Sequence, residues 1–99
     1  MSHDKPEQVL IDAFLSDHPE YEVDDGKLKT EFKFADFKAA FSFMKAVADE
    51  AERLNHHPTM TNTYNKVSFE LWTHETGGIS HHDLELAKAI SQLATKQNA

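Results

Sequence analysis

An α+β domain is the fold class this sequence predicts: one four-stranded antiparallel sheet with three helices packed on a single face, in the order α-β-β-α-β-β-α. Two segments alternate apolar and polar residues with period two, each about a turn dipeptide, which is the pattern of a β-hairpin. Three other segments repeat apolar residues at three- and four-residue steps, the pattern of an amphipathic helix. Each hairpin presents one apolar face that needs a cover, and in a chain of 99 residues the helices supply it. That length fits one domain over residues 1–99, with residues 1–6 expected to be a disordered tail.

The first helix is expected over residues 7–16, where Val9, Leu10, Ala13 and Phe14 share a face. Asp17-His18-Pro19 ends it, because proline crowds the residue before it out of the helical region. Tyr21-Glu22-Val23 and the segment from Leu28 to Phe34 then flank Asp25-Gly26. Leu28, Thr30, Phe32 and Phe34 fall on one strand face, and Lys29, Glu31 and Lys33 on the other. The second face reads as wet, which places all the helices on the first.

Asp36 is a suitable N-cap for the strongest helix, in which Phe37, Ala40, Phe41, Met44, Ala48, Ala51 and Leu54 form the apolar stripe. Phe43 falls off that stripe and reads as either a core edge or a subunit contact. Pro58 prevents the helix from continuing. The second hairpin is expected from Met60–Tyr64 and from Val67, Phe69 and Leu71, alternating with Ser68, Glu70 and Trp72, about an Asn65-Lys66 turn. Gly77-Gly78 breaks the chain. Ser80 and Asp83 resemble a capping box for a last helix carrying Leu86, Ala87, Ile90, Leu93 and Ala94.

The composition excludes several functions. No cysteine is present, so disulfides, thiolate metal sites and cysteine nucleophiles are ruled out. A net charge of −7 with histidine neutral argues against sequence-independent nucleic-acid binding, which runs on lysine and arginine, and against acidic membrane surfaces. No apolar run approaches the ~20 residues of a membrane span, and the first residues lack the apolar stretch of a secretory signal. The expected location is the cytoplasm.

Seven histidines in such a chain is an unusual count. His56 and His57 follow the long helix directly, and His74 stands just past the last strand. Pairing within the second hairpin returns Thr73 and His74 toward residues 58–60, which brings His74 toward the His56-His57 turn. Imidazole suits proton transfer near neutral pH. In a regular strand, however, His74 has the parity of Ser68, Glu70 and Trp72 and faces away from the helices; a loss of regularity at the sheet's end removes the conflict. Zinc accepts three histidines plus water, but chain-adjacent histidines seldom chelate one ion and no carboxylate has motif spacing, so no metal is expected. His81-His82 reads as structural or incidental, and His3 and His18 are given no role.

The stretches Glu52-Arg53-Leu54-Asn55-His56-His57-Pro58, Tyr64-Asn65-Lys66-Val67, Leu71-Trp72-Thr73-His74 and Gly78-Ile79-Ser80 with Asp83 together resemble the pterin-4a-carbinolamine dehydratases, also called 4a-hydroxytetrahydrobiopterin dehydratases. The likeness runs over roughly residues 28–94. It implies the same α+β fold, sheets joined across subunits and a homotetramer built as a dimer of dimers. It also implies a pterin substrate dehydrated without a cofactor. The family's catalytic histidines fall on His56, His57 and His74, its glutamate on Glu52 and its last-helix aspartate on Asp83. Glu52 lies one helical turn before His56 and is expected to orient it; Asp83 is expected chiefly to cap the last helix. Asn55, Pro58 and Thr73 lie inside the matching motifs and are expected to support the site. Trp72 and Phe69 read as sheet packing.

The chain departs from the family's pattern where many relatives carry an aromatic residue two positions after the proline: Met60 stands here, which alters one wall of the expected pocket. Asn55 replaces an aspartate of some relatives, and Tyr21 is the nearest aromatic to a tryptophan often found at their first strand. Some members of the family also bind the dimerisation helices of a transcription factor, so a protein-binding role, with access to the nucleus, is the alternative reading. A maturation role in another pterin pathway is a further one.

Overall fold

A computed structural model describes residues 5–99. The element order is α1 (Gln8–Asp17), β1 (Glu22–Asp24), β2 (Lys27–Lys33), α2 (Phe37–Leu54), β3 (Thr59–Thr63), β4 (Lys66–Leu71) and α3 (His81–Gln97). The strands form one antiparallel sheet, as the two hairpins predict, and its spatial order is β1-β2-β4-β3. Of the expected tail, residues 1–4 lie outside the described residues, while Pro6 is buried.

The first hairpin turns at Asp25-Gly26, both with positive φ (55° and 71°), the pairing that matches strand twist in a two-residue loop. Leu28, Thr30, Phe69, Leu71 and Val67 face the helices and are buried, while Glu31, Lys33 and Lys66 on the opposite face are exposed. The second hairpin turns one residue earlier than expected. Thr63 pairs with Lys66, leaving Tyr64-Asn65 as the loop, with Tyr64 at φ 52°. A left-handed conformation is costly for a bulky residue. It is held here by Asn62 Nδ2, which donates to the carbonyls of Tyr64 and Lys66 (3.1 and 2.9 Å), and by Asn65, whose Nδ2 donates to Phe34 O at 2.9 Å.

Two helical faces differ from the sequence reading. In α1 the buried residues are Ile11 and Phe14, and Val9 and Leu10 are exposed. The run Val9-Leu10-Ile11 admits two stripes, and contact chooses the one on which Phe14 meets His18 and Tyr21 (ring centroids 4.4 and 5.5 Å). In α2 the buried residues are Ala40, Phe43, Val47 and Ala51, while Phe37, Phe41 and Ala48 are exposed. Phe43 is therefore neither a core edge nor a subunit contact: it is 1% exposed and sits among Phe34, Phe32 and Phe69 at 4.7, 5.8 and 5.8 Å. The helix is apolar on two sides, and only one can face the sheet.

Asp36 caps α2 as expected, its carboxylate accepting from Ala39 N at 2.9 Å. Asp36→Ala should cost about 1 kcal/mol, measurable as a lower urea midpoint at unchanged slope. The Tyr21 hydroxyl donates to Ala87 O at 2.9 Å, tying the entry to β1 to α3; burial raises its pKa well above the usual phenol range.

Candidate active site

The site begins at the end of α2. Asn55 adopts the left-handed conformation (φ 52°, ψ 43°), which asparagine tolerates better than most residues. Its N–H bonds Glu52 O at 3.2 Å, and the N–H of His56 bonds Ala51 O at 3.0 Å. This pair of bonds is a Schellman termination. It stops the helix at a fixed angle and projects His56 and His57 from its end, so the contribution of Asn55 is to the backbone. Pro58 is half-buried and leads into β3.

His56 Nε2 lies 2.5 Å from Asp83 Oδ1, with the side chains 16% and 0% exposed. The other carboxylate oxygen of Asp83 accepts from Ser80 N (2.8 Å), Thr73 Oγ1 (2.9 Å) and Ser80 Oγ (3.1 Å). Asp83 thus completes the capping box of α3 and at the same time holds an imidazole from across the fold. A buried carboxylate needs such a set of donors, and among the described residues no buried side-chain polar atom lacks a partner. Because an ionised carboxylate only accepts, Nε2 of His56 carries the proton, and Nδ1 is the nitrogen left for other chemistry.

Glu52 does not orient His56. Its carboxylate accepts from His57 Nε2 at 2.7 Å, with the two side chains 78% and 58% exposed. The Schellman turn is the reason: it swings His56 toward α3 and leaves His57 over the last turn of α2. An exposed pair of this kind is worth ~0–1 kcal/mol.

β4 ends at Leu71, and Thr73 pairs with Gly78 in an isolated bridge that closes the loop 74–77. Thr73 turns inward to Asp83, while the exposed His74 lies edge-on to Trp72, with ring centroids 5.9 Å apart. The structure therefore brings His56, Thr73, Ser80 and Asp83 together and seats His57 on Glu52. His74, next to Thr73 in the chain, stands at the same end of the sheet. No hydrogen bond or ring contact among the described residues joins His74 to His56 or His57. Met60 pairs with Phe69 and packs on the core.

His82, taken from the sequence as incidental, lies with its ring 5.7 Å from that of His56. The signal was its position beside Asp83 in the first turn of α3. His81 instead lines a groove of about 440 Å³ between α1 and α3 with His18; His3 lies outside the described residues. Among the described residues, no group of three or more His, Asp or Glu side chains has an arrangement that could hold a metal ion, and no helix is long and apolar enough to cross a membrane.

Residues 4–93 match the family model described as pterin 4 alpha carbinolamine dehydratase. A protein of Prochlorococcus marinus (strain NATL2A), named "Putative pterin-4-alpha-carbinolamine dehydratase", is 44% identical over 87 residues, covering 88% of this chain and 92% of its own. A Rhodospirillum rubrum protein of the same name is 41% identical over 92 residues, covering 91% and 96%. The crystal structure of a transcriptional coactivator/pterin dehydratase from Brucella melitensis superposes with a TM-score of 0.86 at 31% identity, covering 92% of this chain and 99% of that one. A match over nearly the whole chain, in sequence and in fold, places it: the chain belongs to the pterin 4 alpha carbinolamine dehydratase family.

Proposed function

We propose that this protein dehydrates a pterin 4a-carbinolamine (4a-hydroxytetrahydrobiopterin) to the quinonoid dihydropterin and water, by histidine general acid/base catalysis, in tetrahydrobiopterin recycling. The substrate carries a hydroxyl on a ring carbon beside a nitrogen bearing hydrogen. Eliminating water requires a proton delivered to the hydroxyl and one removed from that nitrogen. Hydroxide is a poor leaving group, so acid assistance is the step worth catalysing; one positioned acid or base contributes ~10²–10⁴-fold. The reaction needs no cofactor and no metal.

The observation that carries this reading is the contact of His56 with the buried Asp83 at 2.5 Å. It holds one ring nitrogen through the carboxylate and leaves the other, Nδ1, to give a proton to the hydroxyl, the arrangement of a general acid with its orienting carboxylate. In this scheme His56 and His74 act at the hydroxyl, and His57, steadied by Glu52, holds the pterin and handles the nitrogen proton. The enzyme works in the cytoplasm as a homo-oligomer; β3, an edge strand of the sheet, and the exposed Phe37 and Phe41 are the surfaces that favour association.

Chemically prepared carbinolamine, with quinonoid dihydropterin followed by absorbance, tests the proposal. The wild-type protein is expected to exceed the buffer rate, and His56→Ala, His57→Ala and His74→Ala each to slow turnover. Wild-type rates equal to buffer would remove the enzymatic reading; unchanged rates in all three variants would remove the site assignment.

A second reading is favoured by one surface. Phe37 and Phe41 lie 6.1 Å apart on a face of α2 turned away from the sheet, suited to a helical protein partner, and the Brucella relative is named a coactivator. Capture of a transcription-factor dimerisation segment by a protein lacking all three histidines would support it, and loss of that capture with those side chains would count against it.

A further inference from the structure

The catalytic turn is fastened to the first hairpin. The Nζ of Lys27, the first residue of β2, stands 4.3 Å from the centroid of the Trp72 ring and 3.7 Å from Glu70 Oε1. The Trp72 ring meets His74 at 5.9 Å and 70°. The backbone shows the same closeness: a Cβ on Gly78, which pairs with Thr73, would lie 3.7 Å from Gly26 O at the hairpin tip. Glu70, Lys27 and Trp72 therefore form a continuous series that ends on His74 in the loop 74–77.

The series matters because of how His74 is held. Among the described residues its side chain makes no hydrogen bond, and Trp72 is its ring contact. The loop 74–77 is closed through the backbone, by Thr73 N to Gly78 O at 2.8 Å and Gly77 N to His74 O at 3.0 Å. It is steadied by Thr76 Oγ1 on the carbonyls of Thr73 and Gly78. These bonds fix the path of the chain and leave the imidazole free to rotate about its χ angles. An indole edge against the ring limits that rotation, and a cation over the indole face limits the indole in turn.

We propose that Lys27 is a positioning residue for the dehydration reaction: through the face of Trp72 it sets the orientation of the His74 imidazole. This rests on the proposed role of His74 in proton transfer. Arginine preserves a cation over an aromatic face, whereas methionine keeps the aliphatic reach without the charge.

The test combines kinetics with NMR on the full-length protein. Lys27→Met is expected to lower kcat about two- to fivefold, the range of a half-exposed cation–π contact, with KM changed less. Lys27→Arg should restore it. Trp72→Leu should lower kcat further, and adding Lys27→Met to Trp72→Leu should cost nothing more, since the two act in series. Lys29→Met, which removes a neighbouring charge paired with Asp24, should leave kcat unchanged. The ring-proton resonances of His74, displaced by the indole ring current, should move in Lys27→Met and return in Lys27→Arg. If Lys27→Met leaves both kcat and those resonances unchanged while His74→Ala slows turnover, the positioning role is overturned and the reading of His74 stands. If His74→Ala keeps the wild-type kcat, the reading of His74 is overturned together with any catalytic use of Lys27.

Discussion

Asp83→Asn is expected to lower the dehydration rate about a hundredfold in a protein that remains folded. The outcome depends on which way the new amide must lie. Ser80 N donates to the second carboxylate oxygen at 2.8 Å, and a backbone N–H cannot reverse its role. The amide oxygen must therefore stay there, which turns the amide nitrogen toward His56 Nε2. That nitrogen must now accept, so the ring proton moves to Nδ1, and the doubly protonated ring that gives a proton to the hydroxyl loses the carboxylate that accepts its Nε2–H. Loss of that form removes most of what a positioned general acid contributes, ~10²–10⁴-fold. The ¹⁵N shifts of His56 should report the exchange directly. A variant with the exchanged tautomer and the wild-type rate would show that His56 does not transfer a proton. Asp83→Ala is expected to do more: it leaves the donors of Ser80, Thr73 and His56 without their acceptor in a site that is 0% exposed at Asp83. Each buried polar group left unsatisfied costs ~1–3 kcal/mol, and the capping box keeps only its Ser80 half, so Tm should fall by roughly 10 °C or more.

The second large effect is on stability. Phe43→Ala should cost about 3–5 kcal/mol, a large part of the ~5–15 kcal/mol that holds a domain together. The ring is packed among other aromatic rings on β2, β4 and the strand's exit at Phe34, and little around it can close the cavity. Phe41→Ala removes a ring that is 56% exposed and should cost about 0.5 kcal/mol within the subunit. Urea denaturation of both variants at several protein concentrations separates folding from subunit association. Equal losses, or a larger one at Phe41, would contradict the assignment of faces.

That pair of phenylalanines shows where sequence reasoning stopped. Phe37, Phe41, Met44 and Ala48 make a helical stripe as good as the one through Ala40, Phe43, Val47 and Ala51. Periodicity reports that a face is apolar and is silent on which of two faces meets the sheet. The turn at Tyr64-Asn65 was missed for a related reason: asparagine and lysine follow tyrosine in an order that local preference reads as Asn-Lys. What moves the turn is the pair of bonds that Asn62 makes across the hairpin. In the site, the capping aspartate was legible from its motif, but the acid–imidazole pairs were not. Glu52 stands four residues from His56 and bonds His57 instead, because the left-handed Asn55 turns the chain between them.

From its sequence alone this protein has its class, the order of its elements, the caps at Asp36 and Ser80 and the Asp25-Gly26 turn. All of these are set by side chains acting within a few residues of themselves. The tertiary structure decided which helical faces are buried, which carboxylate holds which histidine, and that Lys27 reaches Trp72. His56 and Asp83 are 27 residues apart in the chain, and their meeting depends on two elements being packed at a particular angle. A local pattern has no access to that angle, because it is set by the summed contacts of the core.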